Sequence, residues 1–440
     1  MPAAPSLLRH PLRQGIGRAC RDRPPHLSYP RRGRRGAVPT LMRTVIIGAG
    51  QAGRRTAELL RGLDAEREIL LLGEEAEPPY DRPPLSKEIL LGEEHPRGLM
   101  QRDIHAYETQ RIALLLGERV EGIDVGTARV AKADGERIAF DSLVIATGAR
   151  ARGLPIAGAN DPRVLTLRSM ADARALSARL RPGLRLAVGG AGLIGLEVAA
   201  AAIQLGCAVT VLEMGDRAMA RCVPETISSR IETWHRAAGV VLKFGCRLTA
   251  IEPRREALRL YTSGGEIEAD LLLVAIGAVP NDELAREAGI AVEDGILTDA
   301  SGRTSHPQVF AAGEVARIRR PSGRHVRFET WQVAQHQPVA VAHALCGTER
   351  PYAELPWHWT DQFGHNVQIL GAHSSGLDWL LRAEGERLSC LGLDADGRVQ
   401  GAVLIDNGRE ATPLRRIIAA GKPLGRQRLL DPSVPLRQLC

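Results

Sequence analysis

The run "RTVIIGAGQAGRRTAELLR", residues 43–61, decides how this chain is read. An apolar strand, Val45 to Ile47, runs into Gly48-x-Gly50-x-x-Gly53 and then into a helical pattern. Glycines at that spacing permit a tight turn, let the backbone approach a pyrophosphate, and allow close helix–strand packing. The helix N-terminus then receives the negative charge. The next apolar run, in "REILLLGEE", leads into Glu74, 26 residues past Gly48, a place for the carboxylate that accepts hydrogen bonds from ribose hydroxyls. One such motif is a weak signal, but this chain carries two. "LRLAVGGAGLIGLEVAAAAIQLGCAVTVLEMGD", residues 184–216, repeats strand, Gly190-x-Gly192-x-x-Gly195, helix and strand, with Glu213 lying 23 residues past Gly190. Two such units predict an α/β chain with two Rossmann-like dinucleotide-binding domains. They also predict two nucleotides, a flavin that stays bound and a nicotinamide that comes and goes. A carboxylate at Glu213 would repel a 2′-phosphate and so favours NADH over NADPH. Arg217, four residues on, reads as a solvated loop arginine.

The chain has 440 residues, length for roughly three domains of ~150 residues. Its net charge of +7 is concentrated at one end: residues 1–41 hold nine arginines and one acid, Asp22, so they carry +8 and the rest sums to −1. That Pro- and Arg-rich stretch lacks the apolar core of a secretory signal and reads as a disordered extension, with Met42 the natural beginning. A basic nucleic-acid-binding arm is the rival reading. The seven cysteines never stand closer than 15 residues, which excludes a local redox dithiol or an iron–sulfur motif and fits a reducing cytoplasm. No apolar run reaches the ~18–20 residues of a membrane span.

"PYDRPPLSKEIL", residues 79–90, holds one of only four lysines among 58 basic residues. Ser86 reads as a helix N-cap, which puts Lys87 in the first turn, where the macrodipole disfavours a cation. A scarce lysine at an unfavourable position calls for a partner or a task.

With "GAGQAG", "PYDRPPLSK", "LVIATGAR", "GGAGLIGLEVA", "VTVLE", "LLLVAIGAVPN", "VFAAGEVA", "RFETWQVAQHQ" and "PWHWTDQ" in hand, the chain resembles a known family from about Arg43 to Leu439. It is similar to the FAD-dependent NADH:ferredoxin reductases of bacterial oxygenase systems. Those of ring-hydroxylating dioxygenases for biphenyl and phenylpropionate are the nearest in kind, and apoptosis-inducing factor is a more distant relative. The resemblance implies a disulfide-reductase-like fold. An FAD domain of two segments, about 42–158 and 282–348, would flank an NADH domain, about 159–281, and a C-terminal α+β domain, about 349–440, would follow. It implies FAD contacts at Gly48, Gly50, Gly53, Glu74, Arg82, Lys87, Thr147, Gly148, Glu314 and Trp359. NAD contacts are implied at Gly190, Gly192, Gly195, Glu213, Gly277 and Glu329. It places Lys87 beside the flavin N5 edge, ion-paired with Glu197, and these two are the catalytic pair it implies. No metal ligands are expected.

The chain departs from the family pattern at two places. Glu314 follows Gly313 where relatives have aspartate, adding a methylene where the flavin ribityl chain is held. "HQP", residues 336–338, replaces a glycine-containing turn, so the helix there is expected to begin differently. The implied chemistry is hydride transfer from NADH to FAD, then single-electron transfer to a small acidic [2Fe–2S] ferredoxin that feeds a ring-hydroxylating oxygenase. Two basic runs, Ala316 to Arg327 and Leu414 to Arg428, are the expected docking faces. A signalling flavoprotein of the apoptosis-inducing-factor type, binding NADH with poor turnover, is the alternative. No nucleic-acid or membrane partner is expected, and the oligomeric state is left open.

Overall fold

The computed structural model describes residues 41–99, 103–371 and 376–439, and the Arg-rich leader lies outside them. Residues 41–440 form one compact unit. Its first sheet has five parallel strands in the order Val309–Ala311, Ser142–Ile145, Arg43–Ile47, Glu68–Gly73, Ile112–Leu116. The second also has five, all parallel, in the order Val241–Lys243, Ala208–Leu212, Arg185–Gly189, Leu271–Val274, Val164–Thr166. Parallel strands covered on both faces are continuous apolar runs, and Val45, Ile46, Val188, Leu143 and Leu273 are buried.

The two units are copies of one plan. In each, a glycine fingerprint joins the central strand to a helix, Gln51–Leu63 or Leu193–Gln204. In each, a three-stranded antiparallel sheet, at residues 120–139 or 248–269, precedes the parallel strand that lies beside the central one, Ser142–Ile145 or Leu271–Val274. The chain passes between the units twice, and the crossing segments Ala149–Ala151 and Ala278–Pro280 pair antiparallel.

The C-terminal part is a five-stranded antiparallel sheet, order Trp357–Gln362, His365–Gly371, Val399–Ile405, Arg387–Leu393, Asp378–Glu384. Alternation splits its faces. Val403 and Ile405 join the core of the second unit, while Ala402 and Leu404 pack with Leu414 and Ile417 of the helix Ala411–Ala420. Gly421, at φ 59°, ends that helix in the left-handed region.

One local expectation fails. Pro83–Ser86 is a 3₁₀ turn, so Ser86 closes a turn and Lys87 follows it. Two successive prolines fix the turn's start upstream of Ser86, and no dipole penalty falls on the lysine. The helix holding "HQP" begins at Trp331, where Thr330 Oγ accepts from Val333 N at 3.2 Å. Pro338 therefore sits in the helix interior, between Gln337 and Val339.

Candidate functional site

Each fingerprint builds a cradle by the same two close contacts and one open glycine. A Cβ on Gly48 would lie 2.3 Å from the carbonyl oxygen of Ala146, and one on Gly190 2.4 Å from that of Ala275. A Cβ on Gly53 or Gly195 would meet the carbonyl oxygen of Gly48 or Gly190 at 1.9 or 2.1 Å. Only glycine fits at these four positions. Gly50 and Gly192 differ, because a Cβ on either meets nothing within 4 Å. Both middle glycines are N-caps in nearly the same extended conformation, and neither helix has a side-chain cap. Uncapped helix N–H groups facing open space are what a pyrophosphate requires, so both cradles fit a dinucleotide.

The two acid positions are not equivalent. Gly48 N donates to Leu72 O and Gly190 N to Leu212 O, which aligns Gly73, not Glu74, with Glu213. Glu118 N donating to Gly73 O, against Cys246 N donating to Glu213 O, confirms that register. Glu213 accepts from Ala191 N at 2.8 Å and Gly215 N at 2.7 Å, so its carboxylate is held at the second cradle before any ligand arrives. Glu74 lies one residue further along, exposed and paired with Arg119 at 2.8 Å. Arg217 is not the solvated loop residue expected. It donates to Val223 O, Ser228 Oγ and Ala220 O and pins the loop after Glu213, because three local acceptors converge on it.

The structure brings Lys87 and Glu197 together, 110 residues apart in sequence, at 3.4 Å. Glu197 is 4% exposed on the second fingerprint helix. Its Oε2 accepts from Ser86 Oγ, and its Oε1 accepts from Thr360 Oγ at 2.7 Å. Lys87 also reaches Asp361 Oδ2 at 3.5 Å. Burial pushes the Glu197 carboxyl above its usual range, against the opposing pull of Lys87, Ser86 and Thr360. The first unit, the second unit and the C-terminal sheet each contribute a side chain to this cluster.

Trp359 neighbours Asp361 on its strand, stacks on Trp357 at 5.0 Å between centroids and meets Trp331 edge-on at 5.7 Å. Trp331 Nε1 donates to Asp81 Oδ2 at 2.9 Å, and Asp81 pairs with Arg54 of the first fingerprint helix at 3.2 Å. This chain of contacts ties the C-terminal sheet to the first cradle. On the other flank Arg82 pairs with Glu75 at 2.7 Å and donates to the carbonyl of Arg168, whose guanidinium holds Glu314 at 2.5 Å. Gln337 fixes the turn bearing Glu314 by accepting from Gly313 N at 2.5 Å and donating to Ala311 O at 3.1 Å.

Thr147 and Asn281 exchange hydrogen bonds where the first unit is left and re-entered, and Asn281 N donates to Gly148 O. Gly277, at φ 111°, stands in open space beside the second cradle's last strand. Glu329 is exposed, pairs with Arg327 at 2.7 Å, and adds to the burial that pushes up the Cys222 thiol of the second unit. Asp81, Arg168, Thr360 and Asp361 were not singled out from sequence, although Asp81 lies inside "PYDRPPLSK" and Thr360 and Asp361 inside "PWHWTDQ"; Gln337 lies inside "HQP", which was read only for where its helix begins.

The pyridine nucleotide-disulphide oxidoreductase family matches residues 42–338, and a reductase C-terminal family matches residues 357–440. The chain belongs to the first of these and carries the second as its C-terminal part. The anthranilate 1,2-dioxygenase system ferredoxin–NAD(+) reductase component of Burkholderia cepacia is 44% identical over 399 residues, 89% of this chain and 98% of that one. The biphenyl dioxygenase system ferredoxin–NAD(+) reductase component of Paraburkholderia xenovorans is 36% identical over 403 residues, 90% and 97% of the two chains. Among solved structures, a ferredoxin reductase from Rhodopseudomonas palustris matches with a TM-score of 0.86 at 33% identity, covering 90% of this chain and 99% of that one. The covalent putidaredoxin reductase–putidaredoxin complex matches at 0.85 and 34%, covering 90% and 98%. Membership explains why the chain carries two copies of one cradle, since an oxidoreductase of this family handles a flavin and a pyridine nucleotide together. Among the described residues no group of side chains is arranged to hold a metal, and no helix is long and apolar enough to cross a membrane.

Proposed function

We propose that this chain is the reductase of an oxygenase system, passing electrons from NADH through FAD to a small acidic [2Fe–2S] ferredoxin. The observation that carries the reading is the junction where Lys87, from the first unit, meets Glu197 of the second fingerprint helix and Asp361 of the C-terminal sheet. Bound FAD accepts a hydride's two electrons and gives them up singly, which joins NADH to a one-electron iron–sulfur acceptor.

The chain's own groups divide the work. Gly48, Gly50 and Gly53, with Thr147, Gly148, Arg82, Glu314 and Trp359, are the FAD contacts, and Glu74 stands at the ribose end. Gly190, Gly192 and Gly195, with Glu213, Gly277 and Glu329, hold NADH. Glu213 presents a fixed carboxylate for ribose hydroxyls and repels a 2′-phosphate. Lys87 holds an ammonium at the junction, and Glu197, with Asp361, keeps it there. A compact ammonium fits where a broad guanidinium would not. The FAD part is assigned to residues 42–158 and 282–348, the NADH part to 159–281 and the C-terminal part to 349–440.

Docking of the acidic partner falls to the exposed cations of the two basic runs, Arg319, Arg324, Arg416, Lys422 and Arg428. Within the same runs Arg317, Arg327 and Arg426 are already paired with Glu293, Asp294 and Asp378. Scattered cysteines, five of them free in the structure, fit a cytoplasmic setting.

An anaerobic NADH titration of the chain from Met42 tests the reading. Flavin bands should bleach promptly and recover on adding a [2Fe–2S] ferredoxin, at a rate that falls steeply with salt. A colourless protein, or a bleached one that no ferredoxin reoxidises, would overturn it.

A further inference from the structure

Glu197 is the end of a longer buried line. His235, on the helix Glu225–Ala237 of the second unit, faces Gln362 Oε1 through Nε2 at 2.9 Å. Gln362 Nε2 donates to Thr360 Oγ at 3.0 Å, and Thr360 Oγ donates to Glu197 Oε1 at 2.7 Å. His235, Gln362, Thr360 and Glu197 are all at most 4% exposed. Thr360 and Gln362 share a face of the strand Trp357–Gln362 because side chains alternate along it. The line therefore leaves the second unit, runs two strand positions through the C-terminal sheet, and returns to the second unit at the carboxylate that partners Lys87.

Such a line has two possible polarities. In one, His235 carries its proton on Nε2 and every group donates toward Glu197. In the other, the amide of Gln362 is reversed, Glu197 is protonated and donates to Thr360, and the last donor points at an unprotonated Nε2. The second polarity requires the His235 proton on Nδ1. Among the described residues Nδ1 has no hydrogen-bond partner, and the ring packs edge-on against Phe363 at 4.8 Å. A buried N–H without an acceptor is rarer and more costly than a buried acceptor without a donor. A protonated imidazolium would bury that same orphan donor together with a charge, and burial lowers the His235 pKa. The neutral Nε2–H ring is thus the form the site accepts, and it commits each donor in turn toward the carboxylate.

We propose that His235 and Gln362 are positioning residues that set the direction of this hydrogen-bond line and so keep Glu197 ionised opposite Lys87. Neither touches the junction itself; they act through Thr360. The charged groups facing Glu197 are Lys87, from the turn, and Asp361, from the strand, while Ser86 supplies the third donor. Lys87 favours the ionised form and Asp361 disfavours it, so the directed line opposes both burial and the nearby acid. The proposal deepens the reductase reading and rests on it only for the rate measurement below.

The test is the pH dependence of flavin reduction by NADH in the holoprotein, for wild type and Gln362→Leu. Gln362→Leu leaves the Thr360 hydroxyl free to turn away from Glu197 and should move the acid limb of the profile up, by as much as about one pH unit, the effect of one lost hydrogen bond to a charged group, when that hydroxyl no longer donates. Thr360→Val should move it likewise, while Thr360→Ser, which restores the hydroxyl, should return it to the wild-type position. A Gln362→Leu profile that superimposes on wild type overturns the proposal. Should Gln362→Leu fail to fold, the two Thr360 variants decide alone, and equal profiles for valine and serine overturn it. Infrared titration of the Glu197 carboxyl, assigned by its loss in Glu197→Gln, gives a readout that needs no turnover. A wild-type protein that NADH does not reduce would sink the reductase reading, and the infrared shift between wild type and Gln362→Leu would still judge the line.

Discussion

The two fingerprint units share a central strand–glycine–helix plan, an antiparallel insert and two close glycine contacts, yet they present their cradles differently. In the first, the residues after the middle glycine are covered: Gln51 is 8% and Ala52 7% exposed. Gln51 bonds Gln335 of the helix Trp331–Leu345, and Gly313 packs so tightly on the same helix end that a Cβ would lie 2.6 Å from Ala52 Cβ. In the second unit Ile194, two residues past the middle glycine, is 43% exposed, and Met214, next to Glu213, is 64% exposed. The protein covers the first cradle more than the second, which fits the proposed assignment of a tightly held flavin to the first and an exchanging nicotinamide to the second. The second cradle in return carries its own carboxylate, Glu213, where the first has Gly73, since a side chain there would strike Ala49.

Valine at the middle glycines should break this comparison most sharply. Because each faces open space at negative φ, Gly50→Val and Gly192→Val should both fold. Gly50→Val should purify colourless and inactive. Gly192→Val should purify yellow and show a KM for NADH raised about a hundredfold or more, equivalent to roughly 2.7 kcal/mol of lost binding. Flavin content by absorbance and steady-state kinetics separate the two. If Gly192→Val also lost flavin, the division of labour would be wrong.

Lys87→Met comes next, because it strips the junction where the units meet. Removing one member of a buried ion pair costs about 3–5 kcal/mol, and here the cost is reduced because Ser86 and Thr360 still donate to the Glu197 carboxylate. A loss of about 2 kcal/mol in unfolding free energy is expected, with flavin reduction by NADH slowed about tenfold or more. The double variant Lys87→Met/Glu197→Gln should recover most of the stability and none of the rate. Denaturant unfolding with stopped-flow reduction reads both.

The outcome of reading the sequence follows the same division. Local chemistry was legible. Glycine spacing, apolar strands and the acid after the second unit were all found from text, because each requirement is met within about thirty residues. Register was not legible. Counting residues put Glu74 in the place of Glu213, but the ladder bonds show that Gly73 holds it, and a one-residue slip turns a side chain to the other face. Pairings over long separations were out of reach as well. Lys87 with Glu197 came only through family likeness, and Arg168 with Glu314, 146 residues apart, came from nowhere in the text. Ser86 misled because a serine before a lysine and a glutamate looks like a cap, while two prolines upstream had already set a 3₁₀ turn.

His358 tests the seal between the C-terminal strand and the rest. Burial holds its pKa down to about 4, from an ordinary 6.5. Between those values the unfolded chain binds the proton and the folded chain does not, so stability is fully present above 6.5 and is lost as pH falls through about 4. The loss due to this group is at most about 3 kcal/mol. In His358→Leu the decline in unfolding free energy over that window should be shallower by that amount. An unchanged decline would mean that water reaches the ring and that the strand does not seal the junction.

Glu314→Asp should have the smallest effect and probes the cover of the first cradle most finely. The carboxylate of Glu314 pairs with Arg168 at 2.5 Å, and Arg168 offers its carbonyl to Arg82, so the extra methylene serves a protein contact. Shortening the side chain withdraws the carboxylate from that guanidinium. The pair is partly exposed, at 30% and 14%, so its loss should cost about 1 kcal/mol or less. FAD should then dissociate a few-fold faster, with the KM for NADH unchanged because the second cradle is untouched. Flavin release, followed by fluorescence on dilution, measures the first quantity, and steady-state kinetics the second. Slower release in Glu314→Asp would show instead that the shorter acid serves the flavin directly and that the Arg168 pair loosens the cover. The contrast between a closed cradle and an open one would then rest on Gln51, Gly313 and Gln337 alone.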